Sequence, residues 1–84
     1  MGGPALGPGE ALVIEPARQV HTFGMRYAID VCFCDRAWNV LHIVSPLRPR
    51  RLTRWVLRAR YAVETPAGAF EGVGRGDQLS LSER

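Results

Sequence analysis

Hydrophobic positions along this chain fall in short runs of five to seven residues, each closed by glycine, proline or a charged turn. Alternation at a period of two predicts strands over residues 11–15 (ALVIE), 19–23 (QVHTF), 28–34 (AIDVCFC), 39–44 (NVLHIV), 61–66 (YAVETP) and 77–82 (DQLSLS). Residues 52–58 (LTRWVLR) fit a strand or a helical turn equally well. Pro16 closes the first run, and Pro46 and Pro49 close the fourth. Residues 67–74 (AGAFEGVG) predict a single helical turn ended by glycine. Residues 1–9, with four glycines and two prolines, are expected to be an irregular lead-in. No ten-residue stretch carries a helical stripe. The expected fold is therefore all-β in the main, a barrel or sandwich of about six short strands with one short helical turn.

Length and composition sharpen that picture. A chain of 84 residues makes one domain, 1–84. At this size only about 60–65% of the unfolded surface is buried, so the core is thin. A disulfide is not expected to help. Cys32 and Cys34 are the only cysteines, and on a strand their Cα atoms would lie about 6.5 Å apart with poor orientation for a bridge. Two reduced thiols point to the cytoplasm. The start, MGGPALGPGEA, carries neither the basic head nor the apolar core of a secretory signal. No apolar run approaches the roughly 18 residues of a spanning helix, so no membrane is expected.

Charge is uneven. All 11 basic residues are arginine. Six of them, Arg48, Arg50, Arg51, Arg54, Arg58 and Arg60, fall in RPRRLTRWVLRAR, which holds no acid. The remaining 5 arginines face 8 acids, so the net +3 is one basic segment on an acidic body.

The candidate chemistry lies in RQVHTFGMRYAIDVCFCD, residues 18–35. Alternation puts His21 and Phe23 on one face and Val20 and Thr22 on the other. It sets Ile29, Val31 and Phe33 against Ala28, Asp30, Cys32 and Cys34. Asp30 thus lies among small or apolar neighbours, where a carboxylate is costly unless paired. Arginine is its natural partner. Asp30 and Arg26 then form either a structural ion pair at a bend near Gly24, or, with His21, the lining of a cleft for a small polar ligand.

HTFGMRYAIDVCFCD, followed by VLHIV and by ETPAGAFEGVGRGDQLSL, resembles the prokaryotic family known as domain of unknown function 192. The matching positions are His21, Thr22, Phe23, Met25, Arg26 and Asp30, then Glu64, Pro66, Ala67 and Gly68, then Gly76 and Asp77. The resemblance implies a small barrel-like β-sandwich with no settled activity. It also implies that His21, Phe23, Met25, Arg26, Asp30 and Glu64 form a shared surface feature. Three departures stand out. The family usually has a strand and a short helix upstream of the segment that starts here at Leu6, and without them a sheet edge or core patch is expected to be open to a partner. DRAWN replaces a tight acidic turn with glycine, and tryptophan tolerates such a turn poorly, so a longer or reshaped loop is expected there. Cys32 and Cys34 replace aliphatic residues, which assigns them to the core.

Other constellations are weaker. His21, Cys32, Cys34 and His42 do not have zinc spacing, so no metal and no cofactor is expected. No activated nucleophile is visible, which leaves the catalytic residues unassigned. His21 with Asp30 or Glu64 suits acid–base work. Trp55 and Tyr61 interleave the arginines as in a single-strand binder, but a net +3 is a weak footprint, so nucleic acid is not the expected partner. RGD at 75–77 is expected to be a turn in which Asp77 bonds the backbone. The expected function is a small non-catalytic binding module for a small polar or anionic ligand. Arg26 would supply charge, Asp30 would fix Arg26, His21 would donate or accept, and Phe23 with Met25 would form the apolar wall. The alternatives are an enzyme using His21 with Asp30 or Glu64, and an accessory protein that completes its sheet with a partner or a second copy.

Overall fold

The computed structural model describes residues 11–23, 26–68 and 70–79. Its strands are β1 (Leu12–Ile14), β2 (Ile29–Cys34), β3 (Val40–Leu47) and β4 (Tyr61–Pro66). They form one open antiparallel sheet in the order β1-β4-β2-β3. The main expectation of a β fold holds; among the described residues four strands form the sheet, not six closing a barrel. β2 is buried at every position because both of its faces are covered. Ile29, Val31 and Phe33 enter the larger core with Val20, Leu47 and Ala62. Cys32 and Cys34 enter a second core with Val40 and Val63, under Trp38, Tyr61, Phe70 and Leu79. That division is the one the alternation of AIDVCFC predicts. Each fully buried Phe33, Ile29 or Val31 side chain contributes about 1.5–3 kcal/mol.

The larger core is roofed by residues 17–23 and 50–60, where strands were expected over 19–23 and allowed over 52–58. These two segments run antiparallel but are irregular, with a single bridge between His21 and Leu52. The Ala17 N–H donates to Arg60 O (3.1 Å), Val56 to Arg18 (2.7 Å), Thr53 to Val20 (2.9 Å) and Thr22 to Arg51 (2.9 Å). Buried threonine side chains displace the missing ladder bonds. Thr53 Oγ1 accepts from the Val20 N–H at 3.0 Å. Thr22 Oγ1 accepts from the Arg51 N–H at 2.9 Å and donates to Arg48 O at 2.6 Å. Hydroxyls that bond backbone in this way compete with regular pairing. Side-chain direction survives nonetheless: Val20 and Thr22 are buried, and His21 and Phe23 are exposed.

β3 runs on through Pro46 instead of stopping before it. Ile29 pairs with Leu47 and Val31 with Val44, so Ser45 and Pro46 form a bulge opposite Asp30. β3 is an edge strand, where a missing N–H costs no ladder bond. The turn between β2 and β3 stays tight, contrary to expectation. The Asp35 N–H donates to Asn39 O and the Trp38 N–H to Asp35 O, both at 3.0 Å. Trp38 takes φ 67°, the left-handed position that glycine usually fills, and its ring stacks on Tyr61 at 3.9 Å. The backbone and side-chain amides of Asn39, with the Ala37 N–H, hold the Asp35 carboxyl below its ordinary range.

The described part of 67–74 makes successive turns and no helix. Of the expected strand 77–82, Gln78 bridges Asn39, and residues 80–82 lie outside the described residues. So do the lead-in 1–9 and Gly24, where the bend was expected. The RGD segment is a turn as expected, with Gly76 at φ 92° and Asp77 Oδ2 accepting from the Gly74 N–H at 2.8 Å. Among the described residues no helix is long and apolar enough to cross a membrane.

Candidate functional site

The sheet divides the motif residues between its two faces. Asp30 pairs across the sheet with Thr65, and Val31 with Glu64. Successive side chains on a strand point to opposite faces, so Asp30 lies on the side of Cys32 and Cys34, and Glu64 lies on the side of Val31. Asp30 has 0% exposure. Its Oδ1 accepts from the Ser45 hydroxyl and its Oδ2 from the Gly68 N–H, each at 2.8 Å. Gly68, at φ 96°, turns its amide there as few other residues could. The expected ion pair with Arg26 is therefore corrected: Asp30 holds a strand bulge and a turn, and Arg26 is exposed. Met25 lies outside the described residues.

On the opposite face, His21 and Phe23 do come together, with ring centroids 5.6 Å apart. Glu64 is buried at 6% exposure. Burial pushes its carboxyl above the ordinary range, and the charge of His21 pulls weakly the other way. Among the described residues no hydrogen bond offsets that burial. His21 thus acts on Glu64 electrostatically, and Asp30 lies on the opposite face of the sheet. No three of the described His, Cys, Asp and Glu side chains gather as metal ligands would. Cys32 and Cys34 are free, fully buried and 3.8 Å apart at sulfur. The hydrogen bond shared with Cys34, then burial, pushes the Cys32 thiol far up.

A concave site lies elsewhere. A cleft of about 400 Å³ opens between β3 and the roofing segment, lined by Leu41, His42, Arg54, Trp55, Val56, Leu57, Arg58 and Arg75. A bulge in β3 builds one wall. Phe33 pairs with His42 and Cys34 with Val40, which leaves Leu41 as the extra residue. Leu41 packs on the larger core, and the His42 ring stacks near Phe33 at 6.4 Å. The other wall is pinned by Val56, whose N–H donates to Arg18 O at 2.7 Å. Arg75 enters from the turn that Asp77 closes. Three guanidiniums and an imidazole therefore surround the hollow, and no carboxylate is among the described residues that line it. Burial, then Arg54 and Arg75, push His42 below its ordinary range, so it is neutral at pH 7 and can both donate and accept. Arg58 in turn lowers the Asp35 carboxyl, the least of the causes acting on it.

The family profile of DUF192, described as uncharacterized ACR, matches residues 1–81. The chain belongs to DUF192. No curated protein and no solved structure matches it. Asp30 of HTFGMRYAIDV and Gly68 of ETPAG meet in one hydrogen bond. For this DUF192 chain, sequence reasoning weighed the arginine segment with Trp55 only as a nucleic-acid binder and set it aside, and it did not connect His42 or Arg75 with that segment. Neither carries a local signal. A strand bulge and a distant turn bring them to the arginines.

Proposed function

We propose that this DUF192 domain is a non-catalytic binding module and that it holds a small anion in the cleft between β3 and residues 54–58. The observation that supports this is the convergence of Arg54, Arg58, Arg75 and His42 on a hollow of about 400 Å³ with no lining carboxylate. Low-dielectric walls lined by one sign of charge focus potential on the space between them. Guanidinium forks match the oxygens of carboxylates and phosphates. The size is that of a small-ligand pocket. The two buried, reduced thiols suit a cytoplasmic module.

The test is a thermal-shift titration with inorganic phosphate and simple dicarboxylates at low salt. A ligand at a hundred times its dissociation constant adds about 2.7 kcal/mol of stability. Arg54→Gln and Arg75→Gln should each weaken binding. Absence of any shift with every anion at millimolar concentration overturns the proposal.

A second function is favoured by one observation, the buried Glu64 carboxyl within electrostatic reach of His21. These two would serve as acid and base, and Asp30 would take no part. A turnover lost in both His21→Ala and Glu64→Gln would support it. Leu12 and Val13, exposed on edge strand β1, favour sheet completion by a partner or second copy. A clean monomer in light scattering at high concentration would remove that option.

A further inference from the structure

Resting on the anion site proposed above, we infer that its ligand is a phosphate monoester carrying a flat ring, with the phosphate on Arg54, Arg58 and Arg75 and the ring against Trp55. The charge argument comes first. Three cations with no lining acid favour a ligand with more than one negative charge. A carboxylate brings one charge. A phosphate monoester carries about −1.5 to −2 at pH 7 and offers three strong acceptor oxygens. Of the three, Arg54 and Arg75 also bear on His42. A neutral imidazole supplies one N–H to a phosphate oxygen and can accept from a protonated one.

The rim supplies the second part. Trp55 lines the same cleft yet is 59% exposed, and Leu57 beside it is 72% exposed. By contrast Trp38, the other tryptophan, is packed against Tyr61. Trp55 is thus a flat apolar face left open beside a cationic hollow. Stacking of a base on an aromatic side chain contributes about 1–3 kcal/mol and tolerates any ring. A cleft of about 400 Å³ has the size to hold one ring with its phosphate.

The experiment is calorimetric titration of the full chain at low salt with three probes: orthophosphate, phenyl phosphate and a nucleoside monophosphate. The imidazole resonance of His42 is followed in parallel. The ring-bearing phosphates should bind at least tenfold tighter than orthophosphate. In Trp55→Ala that advantage should fall below twofold. All three phosphates should raise the pH at which His42 titrates, because a bound dianion offsets Arg54 and Arg75. Equal affinity for phenyl phosphate and orthophosphate overturns the inference and leaves the anion site standing. So does a ring advantage that survives Trp55→Ala. No binding of any probe, with His42 unmoved, overturns the anion site itself. Trp55 is mostly exposed, so its truncation spares the fold.

Discussion

Replacing Asp30 by alanine tests whether the motif aspartate is scaffold or site. Asp30 is fully buried and accepts two hydrogen bonds of 2.8 Å, from the Ser45 hydroxyl and the Gly68 amide. Hydrogen bonds to a charged group contribute about 1.5–3 kcal/mol each, so two would give about 3–6 kcal/mol. Two effects lower that figure. Ser45 and Gly68 are themselves exposed, so water takes up part of what they lose. Removing the carboxylate also removes its burial cost. The net loss expected for Asp30→Ala is about 2–3 kcal/mol. A domain of this length has roughly 4–13 kcal/mol in total, so the variant folds but melts about 10–20 °C lower.

Urea and thermal unfolding followed by circular dichroism supply the assay. Asp30→Asn is the control. Its amide oxygen still accepts from Gly68, and its NH₂ donates to a rotated Ser45 hydroxyl, so it should lose only about 1 kcal/mol. An alanine variant within about 0.5 kcal/mol of the parent would refute the scaffold role. A variant of full stability that no longer binds any ligand would return Asp30 to the site.

Burial raises the Glu64 carboxyl in the folded state. Its contribution to stability is therefore full below the unfolded pKa and lost as pH rises through the raised folded value. Glu64→Gln should raise the melting temperature at pH 7–8 and flatten its decline above pH 5; an unchanged pH profile would contradict this. Trp38 adopts φ 67° but stacks on Tyr61. Trp38→Gly relieves about 1–2 kcal/mol of backbone cost and loses about 3 kcal/mol of packing. The variant should be about 1–2 kcal/mol less stable by urea unfolding, and a stabilised variant would show that the stack contributes nothing. Cys32 and Cys34 should resist a thiol reagent in the native state and react together in denaturant, and fast native labelling would contradict their burial.

The direction of each side chain was legible because it is set locally. Ile29, Val31 and Phe33 part from Cys32 and Cys34 as the pleat requires. His21 and Phe23 face outward even where no strand forms. Pairing was less legible. Thr22 and Thr53 look like ordinary strand residues, and only the fold shows their hydroxyls bonding backbone. Pro46 reads as a stop but sits in an edge bulge. Trp38 reads as unfit for a tight turn, but Tyr61, distant in sequence, supplies the stack that holds it. The expected cluster failed through parity. Whether Asp30 and Glu64 share a face depends on β2 pairing with β4 as Val31–Glu64, not Asp30–Glu64. A one-residue change in register would have reversed the answer.

That parity separates scaffold from site in a way that can be measured. Asp30 works on the face of the cysteine core. The walls of the cleft, Leu41 and Val56, pack on the other core. The two share no hydrogen-bond partner, so their free energies should add. Asp30→Asn combined with Arg54→Gln should show the stability loss of the first and the affinity loss of the second, each within about 0.5 kcal/mol of its single-variant value. Coupling beyond that would mean that the bulge at Ser45 and Pro46, which Asp30 holds, transmits along β3 to His42. The cleft would then depend on the motif, and Asp30 would be a positioning residue for the ligand as well as a scaffold residue.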